Sequence, residues 1–197
     1  LPLKKVLREH KAEIWPSMLL TWFLSAGIVT VTLLTPSIMQ NQFQYSAHDA
    51  LLANSIAIVC LTAGCIFWGW LADKIGAYRV LMLGSTLLAL SSFAFYQSLP
   101  SDLNHTIILY SALGFSLGSV AVVPMILVAL FPPAVRYTGF SFFYNVAYSI
   151  FGGFTPIFIA LWLKADILAP AHYLALVCVI AFVLAIYLEK KNPGSQV

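Results

Sequence analysis

Long apolar runs broken by short polar or charged stretches set the pattern of this chain, and six of the runs approach the roughly 20 residues with which a helix crosses a bilayer. Bounded by charge, proline or loop residues, they predict spans near 15–39, 47–71, 78–98, 106–130, 138–163 and 170–188. Each must be helical, because hydrocarbon offers an open backbone no hydrogen-bond partner. The reading is an all-α membrane protein with six transmembrane helices. Residues 1–14 form a cytoplasmic lead-in, 15–188 the transmembrane unit and 189–197 a cytoplasmic tail. The connections leave no room for a separate soluble domain.

Composition strengthens the pattern: 61% of the 197 residues are hydrophobic and 9% charged, against roughly 25% charged in an ordinary soluble domain. The first residues carry Lys4, Lys5, Arg8 and Lys11 beside Glu9 and Glu13, without the short apolar run and small-residue cleavage site of a signal peptide. Assigned to alternate connections, Lys4, Lys5, Arg8, Lys11, Lys74, Arg79, Arg136, Lys190 and Lys191 fall on one side, and Lys164 alone on the other. The positive-inside rule then makes both termini cytoplasmic, with Asp49, Asp102 and Asp166 outside. Basic residues at span ends, not in one patch, argue against a nucleic-acid partner.

Cys60, Cys65 and Cys178 all lie inside apolar runs, where they read as packing residues. His10, His48, His105 and His172 have no companion at metal-ligand spacing, so no metal is assigned. The chain shows no nucleophile–base pair, phosphate loop or cofactor motif, and it is not read as an enzyme.

Polar positions inside the spans are the candidates for function. Ser141, Tyr144, Asn145, Tyr148, Gly152 and Thr155 recur at three- and four-residue steps, which places them on one helical face that looks into a cavity or glues helices together. Thr21, Ser25, Thr32 and Thr35 make a similar stripe on the first span, where hydroxyls are expected to bond their own backbone. Trp22 is an aromatic wall or a lipid-facing anchor, and Asn54 is a polar amide at membrane depth expected to face the bundle interior. Gly114 and Gly118 form a small-xxx-small pair that predicts tight packing, with a kink at Pro124. No Asp, Glu, Lys or Arg lies in the middle of any span, so the chain has no recognisable proton site of its own.

Two connections carry a resemblance. Between the second and third spans, Gly69-Trp70-Leu71-Ala72-Asp73-Lys74-Ile75-Gly76-Ala77-Tyr78-Arg79 resembles the G-x-L-A-D-R-x-G-R-R loop of the major facilitator superfamily. Gly69 would permit close helix approach, Gly76 would turn the chain, and Asp73 would offer an anion to a neighbouring helix N-terminus. Between the fourth and fifth, Leu130-Phe131-Pro132-Pro133-Ala134-Val135-Arg136-Tyr137-Thr138-Gly139, continuing to Tyr144-Asn145 and Ile150-Phe151-Gly152-Gly153, is similar to the metabolite:proton symporter family of proline/betaine, 2-oxoglutarate, shikimate and citrate carriers.

The resemblance implies the C-terminal half of the fold, in a bacterial inner membrane. It also implies a proton-coupled carrier of small metabolites with an N-terminal half, or a second copy, completing the cavity. Trp22, Asn54, Tyr144, Asn145 and Tyr148 would line that cavity, and Gly69, Asp73, Gly76, Arg79, Arg136 and Gly139 would serve gating. Asp73 would reach across to the other half. Ala129, Ala77 and Tyr78 stand where the family carries charge, which weakens the usual cytoplasmic network. A homodimerising half-size carrier and a non-transporting binding or scaffold module are the alternative readings.

Overall fold

The computed structural model describes residues 8–191. Six helices are long and apolar enough to cross a membrane: α1 (Lys11–Phe43), α2 (Ala47–Ile75), α3 (Ala77–Gln97), α4 (Leu103–Leu130), α5 (Arg136–Trp162) and α6 (Ala169–Lys191). Helix α1 exceeds its predicted span at both ends, so residues 11–14 of the expected lead-in form its first turn. Glu189, Lys190 and Lys191 of the expected tail likewise finish α6. Lys4, Lys5 and the tail beyond Lys191 lie outside the described residues.

The helix ends arise from local chemistry. The Ser46 hydroxyl accepts the Asp49 N–H at 3.0 Å to start α2, and the Asp102 carboxylate accepts the His105 N–H at 3.2 Å to start α4. Helix α1 stops at Gln44 in the left-handed region (φ 60°), and α2 stops at Gly76 (φ 93°), as its turn role predicts. Arg79 at the start of α3 bonds Glu189 at the end of α6 (2.9 Å), and Glu13 at the start of α1 approaches Lys191 (3.9 Å). The start of α1 and the end of α6 therefore share one end of the bundle.

Three of the helices are irregular, each just ahead of a proline. A π-helical turn spans Val29–Leu34 before Pro36, a 3₁₀ turn spans Gly118–Ala121 before Pro124, and a second π-helical turn spans Tyr148–Gly152 before Pro156. Proline has no N–H, and its ring pushes on the carbonyl four residues back; the helix answers by changing its winding over that stretch. Carbonyls released in this way need new donors in lipid. Thr35 Oγ1 donates to Thr30 O (2.8 Å), Tyr110 donates to Val31 O (2.5 Å), and Thr155 Oγ1 donates to Phe151 O (2.6 Å).

Helices α2 and α4 make the tightest contact. A Cβ on Gly118 would lie 2.6 Å from Cys65 N and 2.7 Å from Gly64 Cα, and one on Gly114 would overlap the Ala57 carbonyl oxygen. The glycine pair thus does what its spacing predicts: it lets two backbones meet. Helix α6 packs on α3, and α1 touches α2, α4, α5 and α6 from the centre of the unit. The core it closes includes Phe23, Phe95, Tyr96 and Tyr110, with Phe95 and Tyr110 stacked at 4.7 Å.

Candidate functional site

Helices α2 and α5 differ from the others in what they leave uncovered. Only 22% of the apolar stretch of α2 and 17% of that of α5 is buried, against 44–61% in the other four helices. The candidate residues of α5 lie on this open side. Tyr144 and Tyr148 are half-buried with rings 5.7 Å apart, Phe140 extends the aromatic row at 5.4 Å from Tyr144, and Asn145 is exposed. The Asn145 amide donates to Ser141 O at 2.7 Å, which leaves its oxygen available. Among the described residues the Tyr144 and Tyr148 hydroxyls make no hydrogen bond. An aromatic row with unengaged polar atoms is a surface suited to a partly polar ligand, through ring faces for a cationic group and hydroxyls or amide for a polar one.

The six-residue stripe predicted on α5 does not stay on one face. The π-helical turn at Tyr148–Gly152 winds more slowly than an α-helix and rotates the residues beyond it, so Thr155 turns inward and is fully buried. There it joins a directed chain of hydrogen bonds. The Trp22 indole N–H donates to the Tyr173 hydroxyl (2.8 Å), Tyr173 donates to Thr155 Oγ1 (2.8 Å), and Thr155 donates to Phe151 O. The Trp22 ring also stacks on Phe151 at 4.8 Å and 14°. Trp22 is thus a half-buried joint between α1, α5 and α6. The first-span stripe behaves as expected: Thr21, Ser25, Thr32 and Thr35 each donate to a carbonyl of their own helix.

Asn54 faces the interior. Its Oδ1 position lies 2.7 Å from the Tyr110 hydroxyl, which also bonds Val31 O. One hydroxyl carries one hydrogen, so both contacts are satisfied when the Asn54 amide presents its NH₂ to Tyr110 while Tyr110 donates to Val31. Tyr96 completes the cluster by donating to Thr35 Oγ1 at 2.6 Å. Tyr96, Tyr110 and Tyr173 escaped the sequence reading because tyrosines in apolar runs resemble core. The signal that could have found them is Pro36 and Pro156, whose released carbonyls call for nearby hydroxyls.

The motif residues separate into distinct roles. Gly76 supplies the positive φ. No atom lies within 4 Å of a Cβ placed on Gly69, so within this chain no close helix approach depends on it, contrary to expectation. Asp73 is exposed and has no ion pair among the described residues, while Lys74 sits 4.2 Å over the Trp70 ring. Arg136 Nε donates to Phe131 O (3.1 Å) and closes the connection before α5. Gly139 makes room for the Phe131 ring, whose Cδ1 would lie 2.7 Å from an added Cβ. The termini end is not stripped of ion pairs. Arg79 pairs with Glu189, and the Glu13–Lys191 pair shares a small cleft with Ala129 and Tyr78, two of the positions where family charges are missing.

Comparison with known proteins agrees with this architecture. A Staphylococcus aureus protein named for proline/betaine transport is 30% identical over 98% of this chain and 42% of its own length. A citrate-proton symporter of Klebsiella pneumoniae is 25% identical over 94% of this chain and 46% of its own length. The fold superposes on a crystal structure of the peptide transporter POT in complex with sulfate with a TM-score of 0.75, at 18% identity over 92% of this chain and 38% of that one. The chain thus spans less than half the length of these proteins, and its six helices match one half of the fold. Residues 15–197 match the profile of the Major Facilitator Superfamily, and the chain belongs to that family.

Proposed function

We propose that this chain is the C-terminal half of a proton-coupled secondary transporter of small metabolites, either an osmolyte such as proline or betaine or an organic acid, and that it forms one wall of the substrate cavity. The observation that carries the proposal is the low burial of α2 and α5 together with the unengaged Tyr144, Asn145 and Tyr148 on the open side of α5. Polar groups are poorly tolerated against lipid, so this face suits a water-filled cavity closed by a second half. An N-terminal half or a second copy would supply the opposite wall. It would also supply the coupling carboxylate, since no acidic residue lies in the middle of these spans. Unpaired Asp73 and Tyr137, which is 83% exposed at the start of α5, would meet that partner. The nine-to-one basic count supports termini on the cytoplasmic side of a bacterial inner membrane.

Uptake of radiolabelled proline, betaine and citrate into vesicles bearing this chain, with and without an N-terminal half, tests the proposal. Uptake is expected only in the completed assembly, and Asn145→Ala is expected to weaken substrate affinity more than expression. Unchanged affinity across single alanine replacements of Tyr144, Asn145 and Tyr148 would instead assign that face to packing.

A further inference from the structure

At the end opposite the termini, α1 and α5 diverge around a cleft of about 550 Å³, within the range typical of small-molecule sites. Its apolar floor includes Pro156 and Ile159, and its rim carries Ser37, Asn41, Gln42 and Lys164. Lys164 is the one Lys or Arg at this end among the described residues, and no carboxylate there pairs with it. The acids of this end are engaged elsewhere: Asp49 by His48 (3.3 Å), Asp102 at the start of α4, and Asp166 by His172 (2.7 Å) and the Leu168 N–H. A cation at a helix C-terminus is favoured by the dipole alone, which would account for Lys164 on a flat surface. Here it borders a cleft with two amides, of which Asn41 is held by the Ser37 hydroxyl at 3.0 Å.

The cleft offers both signs of charge. Helices α1 and α5 both end beside it, so their last carbonyls bring partial negative charge, whereas Lys164 brings a full positive one. A simple anion would meet Lys164 but be opposed by the carbonyls. A simple cation would be opposed by Lys164. A zwitterion satisfies both, its carboxylate on the lysine ammonium and its cationic group toward the helix ends, with the apolar floor under its methyl or methylene groups.

We propose that this cleft is an entry subsite for small zwitterions of the amino-acid or betaine class, with Lys164 as the carboxylate-recognising residue. The assignment rests on the transporter reading above and narrows its substrate class. It differs from the wall of Tyr144, Asn145 and Tyr148, because its lining comes from the ends of α1 and α5 and not from mid-membrane positions.

Glycine betaine and choline share a trimethylammonium group and differ in carboxylate against hydroxyl, which makes them the discriminating probes. Equilibrium binding of each, and of citrate, is measured on the full chain in lipid nanodiscs, for wild type, Lys164→Gln and Lys164→Arg. Lys164 is exposed, so both variants are expected to fold, and circular dichroism checks this. Wild type is expected to bind betaine roughly tenfold more tightly than choline, the effect of one charge-assisted hydrogen bond. Citrate is expected to bind more weakly than betaine. Lys164→Arg should keep the preference, and Lys164→Gln should bring the betaine-to-choline ratio to about one or invert it, since only the helix ends are then left to choose. Equal binding of choline and betaine to wild type, tighter binding of citrate, no binding of any probe, or an unchanged ratio in Lys164→Gln would each overturn the subsite. An unchanged ratio with transport intact would remove this inference and leave the transporter reading standing. Lost transport with the ratio behaving as expected would do the reverse.

Discussion

Replacing Gly118 by alanine adds one methyl group at the place where α2 and α4 touch backbone to backbone. That methyl would stand 2.6 Å from Cys65 N and 2.7 Å from Gly64 Cα, whereas ordinary contact begins at 3.4 Å. Neither neighbour is a side chain that can rotate away, so the helices must part by roughly 1 Å, a gap that forfeits a quarter to a half of each contact's dispersion energy along the seam. Overpacking of this kind costs about 1–3 kcal/mol. Removing a glycine from a helix returns about 0.5–1 kcal/mol. The net expectation is a loss of about 1–2 kcal/mol, a factor of roughly 5–30 in the folded-to-unfolded ratio. Unfolding by SDS titration in mixed micelles, followed by tryptophan fluorescence, measures it. Gly69→Ala and Gly153→Ala are the controls, because an added Cβ meets nothing within 4 Å at either site. If Gly118→Ala were as stable as these two, the close approach of α2 and α4 would be wrong.

Tyr173→Phe removes the acceptor of the Trp22 N–H and should cost about 1 kcal/mol, in line with interhelical hydrogen bonds in membranes; a double-mutant cycle with Trp22→Phe showing no coupling would refute the relay. Gly139→Ala forces a methyl onto the Phe131 ring, which is buried and stacked on Phe143 at 6.2 Å, so a loss of about 1–3 kcal/mol is expected. Faster proteolysis within 131–136 would accompany it, and wild-type cleavage rates would count against the packing assigned to Gly139. Arg79→Gln breaks an exposed pair, with Arg79 64% exposed, and is expected to change stability by less than about 1 kcal/mol, with the difference vanishing in high salt. A larger, salt-independent loss would mean that the Arg79–Glu189 contact does more than the pair geometry allows.

The six spans were legible because lipid imposes one rule on backbone and side chains alike, and hydropathy records it directly. What moved was the phase within helices. The stripe from Ser141 to Thr155 assumed uniform winding, and the turn ahead of Pro156 spoils that assumption after Tyr148; hence Tyr144 and Asn145 stay on the open side while Thr155 goes inside. Glycine positions were legible only in part. Gly76 announces its turn, and the pair Gly114 and Gly118 announces its contact by spacing, but Gly69 carries no such mark and faces open space in this chain. Charge substitutions were legible in part as well: Asp73 has no ion pair among the described residues. The alanines at 77 and 129 implied a depleted network, yet Glu13 and Glu189, outside both motifs, meet Lys191 and Arg79 through the ends of α1, α3 and α6.

The two π-helical turns tie the stability of their helices to a few particular hydroxyls. A regular helix closes its backbone bonds internally and has no reason to bend at a chosen depth. A helix broken ahead of proline must borrow donors from side-chain hydroxyls, its own or its neighbours', and those donors then help fix where it bends. In α1 the borrowed groups are Tyr110 from α4 and Thr35, itself held by Tyr96 from α3; in α5 the borrowed group is Thr155, held by Tyr173 from α6 and through it by Trp22. Helices α1 and α5, which border the cleft beside Lys164, are also the two with π-helical turns, and both turns are tied by hydroxyls to neighbouring helices. Hydroxyl bonds of this strength, about 1 kcal/mol each in a membrane, can be exchanged one for another without unfolding the helix.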